Sequence, residues 1–345
     1  MKTQAALLVE TGKPLKVEDI ETPALKRGQV LVEIAYSGAC ATQVMEVRGD
    51  KGEDKWTPHC LGHEGSGSVV EVGPEVTKVK PGDHVVLSWL RGDGIEAGGA
   101  VYDWGGVRVN AGGVTTFQRH AVVSENRLTR LPRGLPLDLA VLLGCAAPTG
   151  MGAVFNVLQL KPGQTVAVFG AGGIGLHACM AAVFAKAARI IAVDPQADRR
   201  ALARSYGATD VIDPEAEDPV AAVHGLVAGG VDLAVEATGV PRVMQQALSA
   251  VRPQGGRAVV IGNARFGSEL TVDPAVFNQG KSLMGTWGGD SVPDRDFPHF
   301  GEILSSGRFD LKLLLSKSYS LDGINDALAD LAAGRVGRPL IDMRL

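Results

Sequence analysis

Apolar positions along this chain follow two rhythms. Up to about residue 130 they come in short runs, and in Gln29–Tyr36 (Gln-Val-Leu-Val-Glu-Ile-Ala-Tyr) they alternate in places with polar residues at period two. That pattern predicts half-buried strands. Gly65–Val72 and Asp83–Trp89 read as two more, with Gly73-Pro74 and Pro81-Gly82 as turn signals between them. Residues 91–113 are glycine-rich and read as a long loop with room for a hairpin. From about residue 148 strands and helices alternate. Strands are expected near 165–170, 189–193, 210–212, 231–236 and 257–262, and helices near 173–186, 196–206, 216–228 and 241–251. Such alternation predicts a doubly wound parallel sheet. A further strand, Ser282–Trp287, follows. The tail is predicted to hold one amphipathic helix, Tyr319–Gly334, and a last strand, Pro339–Met343.

The first parallel strand leads into chemistry. Val166-Ala-Val-Phe runs into Gly170-Ala-Gly172-Gly173-Ile174-Gly175, and Asp194 closes the next apolar run, Ile190-Ile-Ala-Val193. This strand–turn–helix–strand–acid order is that of a dinucleotide site. Gly170 suits the tight turn, Gly172 lets backbone approach a pyrophosphate, and Gly175 lets the helix pack close to the strand. The helix N-terminus offers free N–H groups and partial positive charge to phosphates.

Length and charge bound the rest. A chain of 345 residues is too long for one ordinary core, so two domains are expected. The formal net charge is −4 and no basic run exceeds two residues, which gives no support to nucleic-acid or membrane-surface binding. No apolar stretch suits a signal peptide or a membrane span, so the expected location is the cytoplasm. Four dispersed cysteines, Cys40, Cys60, Cys145 and Cys179, argue against a disulfide framework there. Two thiolates and one imidazole, from Cys40, Cys145 and His63, are suitable ligands for Zn²⁺ and leave its fourth position open, but spacing alone does not establish a site, and core packing is the commoner role of dispersed cysteines and histidines.

Gly62-His-Glu-Gly-x-Gly67, the upstream Cys40-x-Thr42, the Pro81-Gly-Asp-x-Val85 turn and the later Gly-x-Gly-Gly-x-Gly resemble the zinc-containing alcohol dehydrogenases of the medium-chain dehydrogenase/reductase superfamily. Trp287-Gly-Gly and Arg338-Pro-Leu-Ile are most similar to the glutathione-dependent formaldehyde dehydrogenase branch. The resemblance covers residues 2–343. It implies an α/β protein with a discontinuous, β-rich GroES-like catalytic domain (1–147 and 288–345) and an inserted Rossmann domain (148–287). It also implies Cys40, His63 and Cys145 as ligands of a catalytic zinc, Glu64 as the acid behind the metal, and Thr42 as the hydroxyl that relays the substrate proton. Trp89 matches an aromatic wall of the substrate pocket. Thr149 and Ile174 match residues that press the nicotinamide toward substrate. Asp194 matches the ribose acid, Arg199 its basic partner and Arg338 a pyrophosphate contact. Thr238, Gly262 and Trp287 join Gly170, Gly172, Gly173 and Gly175 as cofactor contacts.

Several positions depart from the family pattern. Residues 90–115 contain no cysteine, so a structural zinc is not expected there. Met45 stands where a histidine often ends the proton relay, and Gln43 where a carboxylate often orients the ligand histidine. The amide oxygen of Gln43 can accept from the imidazole N–H but carries no charge, which lowers ligand basicity. Ala41 replaces a common basic phosphate contact, and the positively charged glutathione contacts are missing. Cys60 and Cys179 are expected in the core. His59, His84, His120, His177, His224 and His299 read as structural or solvated, Asp83 as structural, and Trp104 as either lid or core.

The expected function is hydride transfer between NAD(H) and an alcohol or carbonyl. One zinc polarises the substrate oxygen, and Thr42 passes the proton on. Asp194 followed by Pro195 favours NAD, because a 2′-phosphate would meet the carboxylate. A homodimer or homotetramer is implied, with a small-molecule substrate and neither nucleic acid nor membrane as partner. Two alternatives remain: a zinc-free, NADPH-dependent enone or quinone reductase of the same superfamily, and a non-enzymatic dinucleotide-binding protein.

Overall fold

The computed structural model describes every residue except Ser316. The chain divides into two compact units, Met1–Cys145 with Val292–Leu345, and Ala146–Ser291. The boundaries fall two residues before the first expected join and four residues after the second.

The first unit is built on two sheets. Lys2–Leu8, Lys16–Glu21, Val101–Trp104, Val107–Asn110 and His59–Cys60 close a small barrel. The second sheet runs in the order Leu128–Arg130, His84–Ser88, Glu64–Val72, Gln29–Gly38, Leu340–Asp342 and Ser318–Tyr319, with His120–Ser124 also paired to Gln29–Gly38. Residues such as Val30, Val32, Ile34, Val85, Leu87 and Phe117 form its core. Each such side chain, once fully buried, contributes about 1.5–3 kcal/mol.

The second unit is one six-stranded parallel sheet. Its order is Asp210–Ile212, Arg189–Val193, Thr165–Phe169, Leu233–Glu236, Arg257–Val260 and Ser282–Gly285. Val166, Ala167, Val168 and Phe169 are all buried. A continuous apolar strand of this kind is expected where helices cover both faces of a parallel sheet.

Two predicted elements need correction. The expected helix Tyr319–Gly334 is a short strand, Ser318–Tyr319, followed by a turn and a helix, Ile324–Ala332. The Gly323 N–H bonds to the Ser320 carbonyl at 3.1 Å, which closes that turn before the helix starts. The expected strand Ser282–Trp287 stops at Gly285. The region read as loop does hold a hairpin, Val101–Trp104 with Val107–Asn110, joined through Gly105 and Gly106, both at positive φ. Several helices were not anticipated, and two of them are eight residues or longer. Ala41–Arg48 carries site residues, and Pro293–Ser305 opens with Pro293 in its first turn.

Cys60 and Cys179 are buried in apolar surroundings, and burial raises both thiols to about 12. Trp104 is partly buried and packs on the apolar cluster of Ala5, Leu7 and Ile20. Asp83 closes its turn by accepting the Lys80 N–H at 3.1 Å.

Candidate active site and metal centre

Three loops bring the sequence-predicted ligands together in the first unit. Cys40 caps the helix Ala41–Arg48, directly after the long strand Gln29–Gly38. Its carbonyl accepts from the Gln43 N–H, and the Gln43 side chain reaches back so that Oε1 accepts the Cys40 N–H at 3.0 Å. This is half of a capping box, with Gln at the third helical position. Gly49 at φ 79° stops the helix in left-handed conformation. His63 follows Gly62, which sits at φ +87°. A Cβ on Gly62 would lie 2.4 Å from Thr116 Oγ1 and 2.8 Å from Phe117, so only glycine permits this approach. Cys145 ends the short helical segment after Val141–Gly144. Ser88 Oγ anchors it by donating to the Gly144 carbonyl at 2.8 Å.

The ligand atoms of Cys40, His63 and Cys145 lie within 4.8 Å of one another, the one such group of three among the described residues. Ligands of a tetrahedral zinc stand roughly 3.5–3.8 Å apart, given Zn–S and Zn–N distances of about 2.3 and 2.05 Å. Only small shifts would close the group on a metal. His63 Nδ1 is taken by Gln43 Nε2 at 2.5 Å, while His63 Nε2 is buried without a hydrogen-bond partner. A buried ring nitrogen left without a partner is costly unless something binds it. Two thiols and an imidazole therefore fit a zinc ion.

Charge is distributed to match. The Cys40 and Cys145 thiols share a hydrogen bond that pulls Cys40 well below its ordinary value and pushes Cys145 well above. Arg338 and His63 also favour the Cys40 thiolate. Burial pulls His63 down, but the Cys40 sulfur beside it lifts it above its ordinary value.

Glu64 and Arg338 form the floor behind the ligands. Both are buried, and Arg338 Nη1 lies 3.0 Å from Glu64 Oε1 and donates to the Ala39 carbonyl at 3.3 Å. Burial drives the Glu64 carboxyl up to about 7 against the pull of Arg338. Gly38 and Gly144 give Glu64 its space: a Cβ on either would stand 2.5 Å from that side chain. Neither glycine nor Ser88 was singled out from the sequence. Their partners are far away along the chain, so no local signal marks them.

The remaining residues of the first unit sit near this cluster or frame it. The Thr42 hydroxyl and the Cys40 sulfur are 3.8 Å apart. Thr42 and Met45 are three positions apart on one helix and share a face. Trp89 is partly buried against the sheet core.

The dinucleotide motif takes its expected form in the second unit. Gly170 turns the chain at φ +93°, and the helix Gly173–Phe184 starts with Gly172 as its cap. A Cβ on Gly175 would stand 1.8 Å from the Gly170 carbonyl oxygen, while one on Gly172 would meet nothing within 4 Å. The first contact enforces close packing, and the second leaves open space where a phosphate can lie. Asp194 is buried at the end of its strand. Its Oδ2 accepts the Ala171 N–H at 2.8 Å and its Oδ1 the Gln196 N–H at 2.9 Å. Arg199 lies 3.9 Å from this carboxylate. Thr149 is buried in the helix Ala146–Gly152, Ile174 is partly exposed, and Trp287 is 76% exposed. Glu236, not foreseen, is buried and holds the next turn, accepting from the Thr238 N–H at 2.6 Å, its hydroxyl at 2.5 Å and the Gly239 N–H at 3.0 Å. Gly262 backs that turn, since a Cβ there would stand 1.9 Å from the Gly239 nitrogen.

Known proteins share this arrangement. The family model described as "Alcohol dehydrogenase GroES-like domain" matches residues 26–133, and that described as "Zinc-binding dehydrogenase" matches 173–306. The chain is 34% identical to S-(hydroxymethyl)glutathione dehydrogenase of Escherichia coli O1:K1 / APEC, covering 99% of this chain and 100% of the relative. Among solved structures, benzyl alcohol dehydrogenase from Acinetobacter calcoaceticus superposes with TM-score 0.90 at 30% identity. An alcohol dehydrogenase zinc-binding domain protein from Burkholderia ambifaria does so with TM-score 0.92 at 32% identity. Each of these two comparisons covers 99% of both chains. A GroES-like unit bearing the ligand cluster and a Rossmann-type unit bearing the glycine turn make this an alcohol dehydrogenase-type oxidoreductase that depends on zinc. The chain belongs to the zinc-containing alcohol dehydrogenase family of the medium-chain dehydrogenase/reductase superfamily.

Proposed function

We propose that the protein oxidises an alcohol, or reduces the matching carbonyl, with NAD(H) and a single zinc per chain. The observation that carries this reading is the partnerless His63 Nε2 facing two thiols. Cys40, His63 and Cys145 would hold the metal, and two cysteine thiolates would bring negative charge to it. Zinc, when bound, supplies a Lewis acid to an alcohol or carbonyl oxygen. Thr42 accepts or returns the substrate proton through a hydroxyl that both donates and accepts. Met45 cannot pass that proton along the helix, so the relay ends at Thr42 or continues through water or a ribose hydroxyl.

NAD rather than NADP is supported by Asp194. Its buried carboxylate is fixed by two backbone N–H groups beside the glycine turn. A 2′-phosphate there would meet a negative charge that cannot swing away. NAD supplies the hydride acceptor, while Gly172, Gly175 and the helix N-terminus give the pyrophosphate a backbone cradle.

A homodimer or homotetramer is supported by the free sheet edge at Ser282–Gly285 and by exposed Phe266, Leu270 and Phe277 in the preceding segment. Four cysteines outside any disulfide suit the reducing cytoplasm. The substrate is a small alcohol or carbonyl; benzyl alcohol and S-(hydroxymethyl)glutathione, named for the relatives, are the first to test.

Steady-state assays with both dinucleotides test the cofactor assignment. Wild type should show the higher kcat/KM with NAD, and Asp194→Ala should weaken NAD more than NADP. A wild-type preference for NADP would overturn the NAD assignment and leave the zinc reading intact.

A further inference from the structure

Gln43 is 1% exposed, and both ends of its carboxamide are used. Oε1 accepts the Cys40 backbone N–H, and Nε2 sits 2.5 Å from His63 Nδ1. This works only while Nδ1 is an acceptor, which in a neutral imidazole puts the ring proton on Nε2. Nε2 is the partnerless atom that faces the thiols. A metal there displaces that proton, and a neutral ring then carries its single N–H on Nδ1. Gln43 now faces two N–H donors, from Cys40 and from His63, with one acceptor oxygen between them. Turning the amide over does not help, because its NH₂ end then meets the Cys40 N–H instead. Either orientation leaves one buried donor against another, at a cost of about 1–3 kcal/mol.

We propose that Gln43 is a positioning residue that weakens zinc retention: the hydrogen bonds it makes to Cys40 and His63 cannot both persist once zinc is bound. The inference rests on the zinc reading above. A carboxylate of the same length offers two acceptor oxygens and satisfies both donors at once. Gln43→Glu therefore removes the conflict, and Gln43→Leu removes the remaining acceptor.

The test is zinc competition against a chromogenic chelator, using the full chain stripped of metal and reloaded with zinc alone. Gln43→Glu should bind zinc about 10-fold more tightly than wild type, and Gln43→Leu more weakly, within the 10–100-fold range that partners of ligand histidines command. Added charge would also tighten binding, so hydrogen exchange separates the two causes. In the zinc-loaded wild type either the Cys40 amide or the His63 Nδ1–H should exchange unprotected; in zinc-loaded Gln43→Glu both should be protected. Equal affinity in wild type and Gln43→Glu would overturn the inference. So would two protected N–H groups in the zinc-loaded wild type, a result that decides the matter even if the variant does not fold. If no variant and no wild type binds zinc, the reading of the metal site itself falls.

Discussion

The first unit holds two buried polar clusters of opposite character. One joins Cys40, His63 and Cys145 over Glu64 and Arg338. The other joins Ser124–Arg127 to residues 93–97, inside the stretch where the resembled family carries a metal-bound lobe. In the second cluster the carboxylates and the Ser124 hydroxyl find their partners within the chain, and Arg127 Nε alone is left buried without one. Glu125 Oε1 accepts the Thr77 and Lys78 N–H groups at 2.7 Å each, and Oε2 accepts the Ile95 N–H at 2.8 Å. Ser124 Oγ accepts from Ala97 and donates to the Ile95 carbonyl, and Asn126 donates to Glu96 at 2.9 Å. Asp294 accepts the Asp93 N–H at 2.6 Å and pairs with Lys78 at 2.7 Å. The first cluster has polar atoms left over: His63 Nε2 and Glu64 Oε2 are buried without a hydrogen-bond partner. A polar group that finds its partners within the chain acts as a strut, whereas a leftover ring nitrogen within 4.8 Å of two thiols is open to a metal. The contrast separates a metal site from a loop that carboxylates and backbone N–H groups hold by themselves.

The sharpest way to break the contrast is to remove a ligand. Cys145→Ser should lose zinc and at least about a thousandfold of the activity, the equivalent of several kcal/mol of charge stabilisation. Circular dichroism should report an unchanged fold. Thr42→Val comes next and separates proton relay from metal binding. It should keep the metal yet lower kcat by about 10²–10⁴-fold, the usual range for a positioned proton donor, while Thr42→Ser keeps most of the activity. Turnover like wild type with zinc bound would mean that the proton leaves by another route.

The loop clamp should answer to stability rather than to metal content. Glu125→Ala leaves three backbone N–H groups without their acceptor and should destabilise the protein by about 3 kcal/mol in urea titration, with zinc content unchanged. A smaller effect lies in its pH dependence. Burial opposes ionisation of Glu125, but the three N–H donors and Lys78 hold its carboxyl below the ordinary value. The folded pKa is lower than the unfolded one, so this stabilisation is complete above the unfolded value of about 4.3 and is lost as pH falls through the folded pKa. The stability gap between wild type and Glu125→Gln should therefore narrow from pH 7 to pH 3. A constant gap would mean that packing, not the carboxylate, fixes the loop.

Much of this was legible in the sequence where the signal is local. The strands Arg189–Val193 and Asp210–Ile212 match their predicted bounds, because apolar runs framed by turns announce buried strands. The glycine turn with Asp194 was readable for the same reason. The helix Ala41–Arg48 was missed although Gln43 and Gly49 are its cap residues: eight residues with only scattered apolar positions show no clear period. In the tail, the amphipathic rhythm ran across the turn at Ser320–Gly323 and hid the strand before it. Of the floor of the metal site only Glu64 was readable, and that through the family resemblance. Arg338 meets Glu64 from the far end of the chain, and Ser88, Gly38 and Gly144 matter only for what the fold brings against them. Gln43 was readable as a departure from the family, but its conflict with His63 needed the contact to Cys40 as well.

Zinc stoichiometry tests the contrast between the two clusters most directly. Elemental analysis of the purified wild-type chain, paired with Cys145→Ser and Glu125→Ala, reads both clusters at once. The account predicts one zinc per chain in wild type and in Glu125→Ala, and none in Cys145→Ser. Two zincs in wild type, or an active enzyme with none, would contradict it.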